Sequence, residues 1–189
     1  MNEFEGYDIA GKIKKKCAGC DSAIEYAKCL GIEILTYDLA NLKAMYSAAD
    51  RHRTIFLNSN LSSFAKEFCC FHEIGHDQIP SHRKMARSAF MREVQFFGIN
   101  YMQDTTEYEA NTIAAHLYID EEEIKEYLIA EKRTIYEAAH LLHAPSELVS
   151  IKLKEMQRAN RIPGNISLSI DPCFLKDLNG AEDWEYGYI

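Results

Sequence analysis

His72-Glu73-Ile74-Gly75-His76 is the stretch on which the reading of this chain turns. It lies in a run, about Phe64 to Gln78, whose apolar residues recur at helical spacing. Residues four apart stack one above the other on a helix, so His72 and His76 aim their imidazoles the same way and can share one zinc ion. Glu73 is turned from His72 by about 100°. That puts its carboxylate beside a metal and not on it, where it can accept a proton from water. The arc holding the two histidines also holds Ala65, Phe68, Cys69 and Gly75, so it faces the interior. Two buried imidazoles without partners would cost on the order of a few kcal/mol, and a shared metal supplies partners for both. Gly75 gives up about 1 kcal/mol of helix propensity relative to Ala, which predicts that something packs closely against the backbone there.

A catalytic zinc takes three protein ligands and keeps one position open. A second helix, starting at Thr105 or Thr106 and running to about Tyr118, offers Glu107 and Glu109. With Glu107 set at 0°, Ala110, Ile113, Ala114 and Leu117 fall at about 240° to 340° and Asn111 near 40°, whereas Glu109 and His116 fall near 200° and 180°. Glu107 therefore borders the buried face and is the expected third ligand, with Asn111 one turn along as a hydrogen-bond partner for the site. Glu109 and His116 are expected on the outer face. Peptide hydrolysis also needs a donor for the developing oxyanion, and Tyr101, Tyr108, His82 and His116 are all candidates.

Working outward, Asp8 to Leu30 carries apolar residues at helical intervals and reads as one helix, or two broken at Gly19. Gly31 to Tyr37, Lys43 to Ala48 and Thr54 to Asn58 read as strands, giving a small, mostly antiparallel sheet ahead of the metal helix. An extended peptide substrate would pair with a free edge of such a sheet, although which strand forms that edge is not written in the sequence. Pro80 ends the metal helix; Arg83 to Phe97 is weakly helical, and Phe90, Val94, Phe96, Phe97 and Tyr101, which could cover the active-site cleft, are expected instead to complete the core. Thr134 to Leu142 and Ser146 to Met156 form two helices around Pro145 with the outline of a helix-turn-helix. The fold class is α+β: a small sheet packed on a zinc-binding helix pair, with a helical C-terminal extension. Residues 1–125 are expected to form the metallopeptidase domain, 126–160 the helical extension, and 161–189 a loosely packed acidic tail.

With 189 residues and 47% hydrophobic content, the chain suits one compact domain with an extension. The net charge of −8 works against general nucleic-acid binding, so the expected partner is a protein. No apolar run reaches the length of a membrane span, and the first residues lack the basic and apolar regions of a signal peptide, so a cytoplasmic location is expected. The cysteines are then read as reduced: Cys69 and Cys70 as small hydrophobes, and Cys17 and Cys20 as a pair one turn apart on a helix, with no second ligand pair near Cys29 to complete a structural zinc site.

His72-Glu73-Ile74-Gly75-His76, followed by Glu107-Tyr108-Glu109-Ala110-Asn111 and Ala114-Ala115, with the strand-like Thr54 to Asn58 ahead of it, resembles the ImmA/IrrE metallopeptidase family over roughly Gly31 to Glu122. The resemblance implies zinc held by His72, His76 and Glu107, with Glu73 as the catalytic base. It also implies a helix-turn-helix repressor of a prophage, mobile element or stress response as the protein substrate. Asp77-Gln78-Ile79-Pro80, Ile113 and His116 depart from the family's usual pattern without touching a proposed ligand. The competing reading is a regulator that binds DNA, or that binds a repressor without cutting it. The intact Glu73 argues against a non-cleaving binder, and the mixed charges of Ser146 to Arg158 argue against a DNA reader.

Overall fold

The computed structural model describes residues 6–49, 52–89 and 101–162. Helices α1 (Gly6–Lys16) and α2 (Ala23–Leu30) precede strands β1 (Glu33–Tyr37), β2 (Ala44–Ser47) and β3 (Thr54–Asn58). Then come α3 (Ser63–Gln78), α4 (Pro80–Ala89), α5 (Tyr101–Tyr118), α6 (Glu121–Lys125), a π-helical turn (Glu126–Ala130), α7 (Ile135–Leu141) and α8 (Ser146–Arg158). The α+β class and the three expected strands are all present.

Local chemistry sets the boundaries. The break at Gly19 occurs where the backbone takes φ +90°, a conformation that favours glycine. Ser22 and Glu25 form a reciprocal capping box that starts α2, and Gly31, at φ +72°, ends it and turns the chain into β1. Ser62 caps α3 by accepting from the Ala65 N–H at 3.1 Å. Ile79 is extended, as a residue before proline tends to be, and Pro80 then opens α4 as its first residue. The weakly helical segment expected from Arg83 thus begins earlier, at Pro80. Phe90, Val94, Phe96 and Phe97 lie outside the described residues, as does the tail from residue 163 onward.

The sheet has the order β1-β3-β2, and it is mixed, not mostly antiparallel. β2 pairs antiparallel with β3, Tyr46 opposite Ile55, but β1 pairs parallel with β3, Leu35 opposite Phe56. Alternation along each strand sets which residues share a face, while the direction of the neighbour depends on how the chain crosses over. Both β1 and β2 are edges, and β2 is the one that packs against α3 and α4.

α5 is the axis of the molecule. It packs on α3, α1 and α8, and every residue from Ala110 to Leu117 is buried. α3 lies against it across Gly75, where an added Cβ would sit 2.5 Å from the carbonyl oxygen of Ala110. The close packing expected from that glycine is therefore the backbone of α5 itself.

Candidate metal centre

Two faces of α3 do different work. His72 and His76, one turn apart, look toward α5, while Glu73 and Asp77, also one turn apart, look toward β2. On the α5 side, His72 Nε2 and His76 Nε2 approach to 3.0 Å, and they lie 3.2 Å and 3.6 Å from the two oxygens of Glu107. His72, His76 and Glu107 form the metal-competent cluster found among the described residues. The donor set suits zinc: these separations bracket the roughly 3.3 Å edge of a tetrahedron whose bonds are about 2.0 Å. The tautomers suit it as well. The Nδ1–H of His72 donates to Asn111 Oδ1 at 2.8 Å, which leaves the Nε2 lone pair facing the cluster.

Burial, with the neighbouring His72, holds His76 down to a pKa of about 3, in the neutral form that a ligand needs. At His72, burial opposes the proton, but the hydrogen bond to Glu107 and the charge of Glu73 outweigh it and shift the pKa upward. The carboxylates that favour a proton on His72 Nε2 would equally favour a cation in its place. Glu73 is 7% exposed, and burial, reinforced by Glu107, pushes its pKa up to about 7 despite the opposing effects of His72 and the Tyr46 backbone. The Tyr46 N–H of β2 donates to this carboxylate and fixes its direction. Glu73 is thus a buried carboxylate held above its usual range beside the His72, His76 and Glu107 cluster.

His72, Glu73, His76, Glu107 and Asn111 come together, but the outer-face assignment of Glu109 and His116 does not hold. Glu109 accepts from His82 Nε2 at 2.9 Å, and His82, 3% exposed on α4, reaches His76 Nδ1 at 3.1 Å. His116 is buried, lies edge-on to Tyr7 and meets Lys152 Nζ of α8 at 2.9 Å. A helix wheel assumes one buried face; α5 has neighbours all round. Of the candidate oxyanion donors, Tyr108 gives its hydroxyl to Glu155 of α8 at 2.9 Å and His116 is engaged by Lys152, while the side chain of Tyr101 lies outside the described residues.

Asp77, in sequence a departure from the family's usual pattern, is fully buried. It accepts from Tyr46 Oη at 2.7 Å and from Arg53 Nη1 at 2.9 Å, while its backbone carbonyl accepts from Arg83 Nε at 2.8 Å. One residue directly after His76 thus joins α3 to β2, to the start of β3 and to α4. Asp77 stands about 140° around the helix from His72, outside the arc that holds the two histidines, so helix periodicity gave no sign of its burial.

Comparison with known proteins agrees with this geometry. The family described as IrrE N-terminal-like domain, peptidase M78, matches residues 27–154. The chain belongs to the ImmA/IrrE peptidase family. A curated relative, "Uncharacterized immunity region protein 2" of Bacillus phage phi105, is 30% identical over 129 residues, covering 68% of this chain and 77% of its own length. The ImmA/IrrE match runs from α2 through most of α8, so it takes in the sheet, both helices that carry the His72, His76 and Glu107 cluster, and the C-terminal helix pair. Within this member of the family, α8 is packed on α5 and α7, with Leu148, Val149, Ile151, Lys152 and Leu153 buried. No helix among the described residues is long and apolar enough to cross a membrane.

Proposed function

We propose that this protein is a zinc-dependent endopeptidase that cuts a regulatory protein, a helix-turn-helix repressor of a prophage, mobile element or stress response. The observation that carries the reading is the convergence of His72, His76 and Glu107 beside a buried Glu73. Zinc bound by those three side chains would polarise the scissile carbonyl and acidify a water molecule. Glu73 accepts the proton of the attacking water at its carboxylate, and its raised pKa suits it to hand that proton to the amine as the carbon–nitrogen bond breaks. The substrate's backbone would lie as an added strand along the outer edge of β2, the edge from which Tyr46 reaches Glu73. Similarity to a phage immunity-region protein supports a repressor as the target.

The test is elemental zinc content of wild type, His76→Ala, Glu107→Ala and Glu73→Gln, followed by incubation with helix-turn-helix repressors from the same genome. About one zinc in wild type and Glu73→Gln, strong loss in the other two, and repressor cleavage by wild type alone are expected. A zinc-free wild type after zinc supply would end the peptidase reading. Repressor binding without cleavage would favour the sequestering regulator.

A further inference from the structure

Glu109 and His82 continue the metal centre outward from His76 in a chain whose proton positions are all determined. If His76 offers Nε2 to a metal, its proton sits on Nδ1. His82 Nδ1, 3.1 Å away, must then accept, so the His82 proton sits on Nε2, where it donates to Glu109 Oε2 at 2.9 Å. Only one direction of donation satisfies both contacts. A carboxylate at the far end favours that direction, because it accepts and does not donate. His82 is buried and Glu109 is about one-fifth exposed, so water competes little for the middle of the chain.

We propose that Glu109 and His82 are a positioning pair that fixes the tautomer and ring orientation of His76 for metal binding. The proposal rests on the metal-centre reading above. It gives the two glutamates of Glu107-Tyr108-Glu109 separate tasks: Glu107 meets the metal site directly, and Glu109 acts through His82. It also makes the two ligand histidines equivalent in support, since α5 orients His72 through Asn111 and His76 through the Glu109–His82 relay. α4 thereby becomes part of the metal site, although it holds none of the three ligands.

Zinc affinity measured by competition with a chromogenic chelator tests this, on wild type, His82→Ala, His82→Gln, Glu109→Ala and the His82→Ala/Glu109→Ala double variant. Loss of one such outer partner weakens metal binding by about 10- to 100-fold, and that loss is expected for either alanine variant. The double variant should be no weaker than His82→Ala alone, because Glu109 acts only through His82. His82→Gln should recover part of the affinity, since its amide oxygen can accept from His76 Nδ1. In cobalt-loaded protein, the visible bands should shift in both alanine variants while far-UV circular dichroism stays that of wild type. Should His82→Ala fail to fold, Glu109→Ala and His82→Gln carry the same comparison. Glu107-dependent zinc binding in wild type that is equally tight in Glu109→Ala and His82→Ala would overturn the relay, as would additive losses in the double variant. Absence of zinc from wild type would instead remove the metal centre on which the relay depends.

Discussion

Gly75 is the residue at which helix chemistry and site geometry meet. The absence of a side chain lets α3 approach α5 until a Cβ would lie 2.5 Å from the Ala110 carbonyl oxygen and 2.9 Å from its Cα. Both atoms belong to a backbone that cannot swing aside, so a methyl group must push the helices apart. Glu107 stands one turn before Ala110 on α5, and the separation it keeps from His72 and His76 depends on that contact. Gly75→Ala is therefore expected to destabilise the protein by about 1–3 kcal/mol through overpacking, outweighing its gain in helix propensity, and to lower zinc content. Thermal unfolding and elemental analysis of the same sample check this. An unchanged midpoint with full zinc would show that the helix spacing is set elsewhere. Glycine at this position was legible in the sequence as a sign of close packing; what packs there was not, because the partner is 35 positions away (110 minus 75).

The two helices that carry the His72, His76 and Glu107 cluster are backed by a clamp that the sequence did not disclose. α1 packs on α5 and α2 packs on α3, and a disulfide between Cys17 and Cys29 ties the end of α1 to the end of α2. The reading of Cys17 and Cys20 as a reduced pair on one helix is corrected by this: α1 ends at Lys16, the turn at Gly19 separates the two cysteines, and Cys20 remains a free, half-buried thiol. Which of three nearby cysteines pair depends on how two helices fold back on each other, and spacing alone does not say. The linked cysteines are 12 positions apart, and closing a loop of that order stabilises a fold by up to about 3 kcal/mol. Cys29→Ser, or full reduction of wild type, is expected to lower the urea midpoint by a corresponding amount, while Cys20→Ser leaves it unchanged. Equal midpoints for oxidised wild type and Cys29→Ser would show that the crosslink adds nothing. Cys69 and Cys70, by contrast, are buried as free thiols, and burial raises both pKa values, as expected for cysteines acting as small hydrophobes.

For the whole molecule, burial of ionisable groups around α5 should shape stability against pH. Lys152 is 2% exposed, and burial, with Lys14 adding to it and Glu121 and Asp120 opposing, brings its pKa down to about 7 from 10.5. Its contact His116 is lowered to about 3 from 6.5, by burial first and then by Lys152 and Lys14. In both cases the unfolded chain binds more protons across the interval, so folding stability rises with pH, over about pH 3 to 6.5 for His116 and about pH 7 to 10.5 for Lys152. Between pH 7 and pH 9 the unfolding free energy of wild type should therefore climb, by at most about 1.4 kcal/mol per pH unit for each proton involved. Lys152→Met removes the titrating group and keeps the apolar stem, so it should flatten that climb. Chemical denaturation at several pH values measures both effects, and parallel pH profiles for wild type and Lys152→Met would show that the lysine is not the source.

The helix pair, the strands, the turn at Gly19 and the convergence of His72, His76 and Glu107 were all legible in the chain. Those follow from short-range rules: a period of 3.6 sets His72 above His76, and the chemistry of imidazole and carboxylate says what such a pair is for. Asn111 was legible for the same reason, as it stands one turn from Glu107. Only the tertiary structure decided the parallel pairing of β1 with β3, the burial of His116 against Lys152, the anchoring role of Asp77, the Cys17–Cys29 link and the engagement of Glu109 through His82. Each of these depends on which distant segment lies alongside. A helix wheel gives the direction in which a side chain points, but the number of neighbours around α5 decides whether that direction ends in water or in protein.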